Sequence, residues 1–89
     1  MKPIVEIREM LGRKFLYVEG EERDIHKRWW FDLESLRMMF WHERPSGERR
    51  IRLQGVWYVT GEQMELDDYC FDGPLSDAVI EFLERNCLP

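Results

Sequence analysis

The feature that most narrows the fold is a pair of alternating runs near the start of the chain. Pro3 to Leu11 and Lys14 to Glu19 flank the dipeptide Gly12-Arg13. Alternation of apolar and polar residues is the period of a strand with one buried face. Glycine at the first central position suits a two-residue type II′ turn, where φ is positive. Such a turn sets Leu11 opposite Lys14, Glu9 opposite Leu16 and Ile7 opposite Val18. Val5, Ile7, Leu16 and Val18 then share one face, the expected core face. A chain that opens this way is committed to an antiparallel sheet and must cover that apolar face with another element.

The end of the chain supplies the cover. Ser76 is the expected N-cap of a helix over about 76–87, with Asp77 in its first turn and Arg85 in its last. Leu75 can staple to Ile80, and Val79, Phe82 and Leu83 form the buried stripe. Further strands lie between. Lys27 to Phe31 follows the charged connection Gly20 to Asp24. Arg49 to Leu53 alternates, with Ile51 and Leu53 inward and Arg50 and Arg52 outward. Gly55 marks a bulge or a close backbone approach. Val56 to Val59 turns at Thr60-Gly61-Glu62 and returns through Gln63 to Leu66, and Tyr69 to Phe71 makes a last short strand.

The segment 32–43 reads as a second helix. Asp32 can cap it, and Leu33, Leu36 and Phe40 fall on one side. A strand from Leu36 to Arg44, turning at Pro45-Ser46-Gly47, is the rival reading, since Met38, Met39 and Trp41 put apolar groups all round. The expected fold is α+β, a single domain over 1–89. It has an antiparallel sheet of about five strands covered on one face by a C-terminal helix, with a second helix near 32–43.

Chemistry-bearing residues are sparse. With 89 residues there is no room for a nucleotide-binding domain beside a substrate domain. His26, His42, Cys70 and Cys87 show no zinc-ligand spacing. Glu65, Asp67, Asp68 and Asp72 match no calcium loop. The glycines form no phosphate loop, and Ser35, Ser46 and Ser76 lack a nucleophile elbow. No metal, cofactor or catalytic group is therefore expected. Apolar runs are too short to cross a membrane and no signal pattern opens the chain, so a reducing, cytoplasmic setting is expected. In it Cys70 and Cys87 are expected to be free, buried and inert. Acidic neighbours of Cys70, and the helix C-terminal position of Cys87, disfavour a reactive thiolate.

What the chain has in excess is aromatic surface. Four Trp, three Tyr and five Phe exceed what so small an interior can hide. Arginine outnumbers lysine ten to three, and Trp, Tyr and Arg carry most interface energy. The expected function is a small non-enzymatic interaction or regulatory protein presenting an aromatic–arginine surface. Its expected partner is a second copy, as a homodimer, or another protein. The candidate contact residues are Arg28, Trp29, Trp30, Trp41, Arg50, Arg52, Trp57 and Tyr58.

Charge suggests an alternative. The net charge is −1 over residues 1–25, +3 over 26–58 and −7 over 59–89. Single-stranded nucleic acid could bind the basic-aromatic segments 26–31 and 49–58, although a pI of about 5.0 argues against it. The acidic third could imitate a nucleic-acid backbone or be a solvated face. A small ligand-binding protein or enzyme would need a pocket that sequence order does not reveal.

Overall fold

The opening hairpin forms, but about a different turn. In the computed structural model β1 (Ile4–Met10) and β2 (Arg13–Glu22) are joined by Leu11 and Gly12. The structure describes residues 2–36, 38–59, 62–65 and 69–86, with 38–43, 56–57 and 62–65 as backbone alone. Both turn residues have positive φ, 54° and 76°, which is type I′ rather than the expected type II′. Ile7 therefore faces Leu16 and Val5 faces Val18, two residues away from the expected pairing. A slip of two leaves every side chain on its own face, so the expected core face survives the corrected register.

The stretch expected as a charged connection is mostly strand. β2 runs on to Glu22, and Arg23-Asp24, with φ of 54° and 64°, turns the chain into β3 (Ile25–Asp32). The remaining strands are β4 (Met38–Glu43), β5 (Arg49–Gln54), β6 (Val56–Val59), β7 (Glu62–Glu65) and β8 (Tyr69–Phe71). The chain closes with α1 (Gly73–Asn86). The class is α+β, as expected, with more strands than expected and one helix among the described residues. A five-stranded antiparallel sheet has the order β1-β2-β3-β6-β7, and a three-stranded one the order β4-β5-β8. β5 and β6 are separated only by Gly55, where the chain leaves the smaller sheet for the larger.

The second helix is corrected to a strand. Its cap does form: the Asp32 carboxylate accepts from the Glu34 N–H at 3.1 Å, and its carbonyl accepts from the Ser35 and Leu36 N–H at 3.2 and 3.0 Å. One turn follows and stops. Nucleating a turn is not enough to propagate a helix, and the residues beyond it pair with β5 instead. Beyond it β4 pairs with β5 through a turn in which Gly47 has φ of 87° and its N–H donates to the Arg44 carbonyl at 2.8 Å. Gly55 shows the expected close approach: a Cβ there would lie 3.0 Å from the Ser35 carbonyl oxygen and 3.1 Å from the Leu36 Cα.

The core lies between the two sheets and the helix. Leu16, Val18, Trp29 and Phe31 come from the larger sheet, Ile51, Leu53 and Phe71 from the smaller, and Leu75, Val79, Ile80 and Leu83 from α1. Trp29 meets Phe71 edge-to-face at 5.0 Å, a favoured aromatic geometry. The helix starts earlier than expected. Gly73 takes φ of 60° and Pro74 follows, as suits a first turn. Ser76 is thus not the cap but a buried residue inside the helix, and Asp77 falls beyond the first turn. Val79 and Leu83 are buried as expected, while Phe82 is half-buried and Ile7 lies outside the helix's cover at 39% exposure. The expected turn at Thr60-Gly61, the residues Leu66, Asp67 and Asp68, and Cys87 lie outside the described residues.

Candidate functional site

The outer face of the larger sheet, opposite the core, carries a second aromatic cluster. Alternation along β2 points Leu16 and Val18 to the core, and Arg13, Phe15, Tyr17 and Glu19 outward. The register places Arg8 beside Phe15, Glu6 beside Tyr17, Trp30 across from Tyr17, and Tyr58 across from Trp30. Phe15 meets Trp30 edge-on at 5.8 Å and Tyr58 at 6.1 Å, and Tyr17 meets Trp30 at 4.6 Å. Phe15 and Tyr17 are buried, and Trp30 and Tyr58 are half-buried.

Arginine completes the face. The Arg8 guanidinium lies 3.6 Å above the Tyr17 ring, a cation–π contact, and its Nε donates to Glu6 at 3.3 Å. That hydrogen bond first of all raises the Arg8 pKa. The Tyr17 hydroxyl donates to Glu19. Burial, then that bond, pushes the Tyr17 hydroxyl up. The same bond, ahead of the nearby charges of Arg28 and His26, holds the Glu19 carboxyl below its ordinary range. His26 Nε2 lies 2.9 Å and Arg28 Nε 3.9 Å from Glu19. Arg13 lies 3.8 Å from the buried Asp32. Each arginine of this face thus has a carboxylate neighbour.

At the hairpin end the cluster opens into a cleft of about 420 Å³ lined by Met10, Leu11, Arg13, Phe15, Trp30 and Tyr58. Its rim holds Leu11, which is 95% exposed and sits at φ of 54°. L-residues enter that region at a cost of about 1–2 kcal/mol.

The sequence-derived contact set divides. Trp30, Tyr58 and Arg28 share the outer face. Trp29 is fully buried; it faces Val18 and belongs to the core, which removes it from any contact surface. Arg50 and Arg52 flank the inward Ile51 and Leu53 on the smaller sheet, with the core between them and the Trp30 face. Arg50 lies 3.7 Å from Glu48. Trp41 sits across from Ile51 and Trp57 across from Phe31, and their side chains lie outside the description. Sequence reasoning missed Met10, Leu11, Phe15 and Tyr17. For the last two, the signal was present: two large rings at alternate positions on the polar side of β2.

Cys70 corrects another expectation. It is exposed and free rather than buried, because its position opposite Arg52 turns it away from the core side held by Phe71. The Arg52 Nε donates to its Sγ at 3.2 Å. His26 is engaged with Glu19, so these two do not form a Cys–His pair. A more polar hollow of about 520 Å³ lies near the start of α1, lined by residues that include Glu22, Arg23, Tyr69, Cys70 and Asp72. Its Tyr69 hydroxyl donates to both Glu22 carboxylate oxygens at 2.8 Å. Among the described residues no three His, Cys, Asp or Glu side chains converge on a metal position, and no helix is long and apolar enough to cross a membrane. No protein-family model matches this chain, and no curated protein or solved structure matches it either.

Proposed function

We propose that this chain is a non-enzymatic interaction protein that self-associates and presents the outer face of its larger sheet to protein surfaces. The observation that carries the reading is the cleft at the hairpin end. An apolar, aromatic-lined cleft rimmed by a fully exposed leucine in a disfavoured backbone conformation is how a docking residue is held in place. The surrounding face supports a protein partner over a phosphate backbone. Its arginines already lie beside Glu6, Glu19 and Asp32, so little positive charge is left over for phosphates. Mixed signs around apolar rings are the make-up of a protein interface.

Light scattering over a range of micromolar concentrations tests the reading. The mass should rise from 10.9 kDa toward twice that value. A single-stranded oligonucleotide titrated at low salt should not bind. A chain that stays monomeric throughout, or that binds the oligonucleotide with steep salt dependence, overturns the proposal.

A further inference from the structure

Among the described residues five large apolar side chains are exposed: Ile4, Ile7, Met10, Leu11 and Ile25. Four of the five lie on β1 and its turn. β1 is also an edge of the larger sheet, with no strand on its outer side among the described residues. Sheet edges are ordinarily protected by charge, proline or short length. This one is seven residues long; it carries Glu6, Arg8 and Glu9, but Ile4, Ile7 and Met10 are left exposed on it.

The hairpin geometry says which backbone groups face away from β2. In a two-residue turn the flanking residues, here Met10 and Arg13, exchange hydrogen bonds. Alternation along an antiparallel pair then uses Arg8, Glu6 and Ile4 toward β2. The N–H and C=O groups of Val5, Ile7 and Glu9 point away from the sheet.

Resting on the self-association proposed above, we infer that β1 pairs antiparallel with β1 of a second copy, about a two-fold axis at Ile7. In that register Ile7 meets the partner's Ile7, and Val5 meets the partner's Glu9. These are the pairs whose backbone groups face away from β2. On the outer face Ile4 meets the partner's Met10, and Glu6 meets the partner's Arg8. At each end Leu11 meets the partner's Pro3. The strand is self-complementary, as an isologous contact requires. Both charge pairs are opposite in sign, and the exposed apolar residues of β1 and its turn acquire apolar neighbours. Moving the axis by one residue, to Glu6 or Arg8, sets a like residue against itself: Glu6 on Glu6 or Arg8 on Arg8. The two five-stranded sheets join into one of ten strands, with both clefts on the same face. Edge pairing of this length is a small interface, so the dimer is weak and concentration-dependent.

Charge exchange tests the register. Glu6→Arg sets two arginines of one strand against two of the other, and Arg8→Glu does the same with carboxylates. Each variant alone should dimerise about tenfold more weakly, or worse, than the parent chain. An equimolar mixture should recover the parent affinity, because two arginines then face two carboxylates. Sedimentation velocity reads the masses, and circular dichroism checks that each variant is folded. Ile7→Pro serves as a second probe: it removes an outward N–H, which an edge strand tolerates, and should abolish dimerisation. If the parent chain dimerises while the variants dimerise equally well, or if the mixture fails to recover, the β1 register is wrong and self-association uses another surface. If the parent chain never dimerises, the self-association reading falls and the register with it.

Discussion

Leu11 shows at the scale of one residue how stability and contact can pull apart. A type I′ turn favours Asn-Gly, because asparagine enters the left-handed region more readily than leucine. Leu11→Asn should therefore raise the stability of the isolated chain by about 0.5–1 kcal/mol, read as a higher denaturation midpoint. The same change should weaken self-association, since it removes an exposed apolar side chain. A variant that is both less stable and equally associated would contradict both roles. Tyr69 carries a different residue-scale expectation. Burial first, then its hydrogen bond to Glu22, pushes its pKa up to about 12 from an ordinary value of 10.0. A hydroxyl whose folded pKa is raised favours the folded state fully below pH 10 and loses that contribution as pH climbs toward 12. Alkaline titration followed by tyrosinate absorbance should show a step near pH 12 that Tyr69→Phe removes, while the raised Tyr17 hydroxyl ionises late in both proteins. A variant that leaves the step near pH 12 in place would mean that another tyrosine supplies it. Cys70, exposed beside Arg52, should react with a thiol reagent in the native state as fast as after unfolding. Strong native protection would restore the buried reading drawn from the sequence.

Elements were legible where one physical pattern dominated and illegible where two competed. The β1–β2 hairpin and α1 follow from periods of two and about 3.6; of the residues those periods select, Leu16, Val18, Val79 and Leu83 are buried, while Ile7 is exposed and Phe82 half-buried. The turn between β1 and β2 was misplaced because glycine suits either central position of a two-residue loop. Strand parity does not choose between them, because a slip of two keeps every side chain on its own face. The segment after Asp32 failed for a related reason. Its capping chemistry is local and formed as expected, but whether a turn propagates depends on what the following residues dock against, and β5 offers Met38 to Glu43 a strand partner. The site was less legible than the fold. Trp29 and Trp30 are adjacent and chemically alike, and strand parity alone sends one to the core and the other to the outer face. For α1 the expected test follows from burial. Leu83→Ala should destabilise by about 2–5 kcal/mol, as a buried leucine truncation does. Glu84→Ala removes only an exposed contact to Arg49 at 3.5 Å and should change stability by less than about 1 kcal/mol. Equal losses in urea melts would mean that the helix is rotated from the orientation described.

For the whole molecule the decisive feature is that one strand run serves both sheets. β5 lies in the smaller sheet and β6 in the larger, with one residue between them. That residue must bend the chain while lying against the backbone of Ser35 and Leu36. Gly55 does this at φ of 156°, where any Cβ would press on the Ser35 carbonyl oxygen at 3.0 Å. The neighbour is backbone on a capped turn, so it cannot yield as the tip of a flexible side chain would. Gly55→Ala should therefore destabilise by about 1–3 kcal/mol, the range for strained backbone or overpacking. Because both sheets and α1 share one core, the loss should not stay at the junction. Amide exchange at Leu16 and Val18 of the larger sheet and at Ile51 and Leu53 of the smaller should accelerate by the same factor, as in a two-state unit. If the variant loosened only the smaller sheet, and Leu16 and Val18 kept their protection, the two sheets would be separable units.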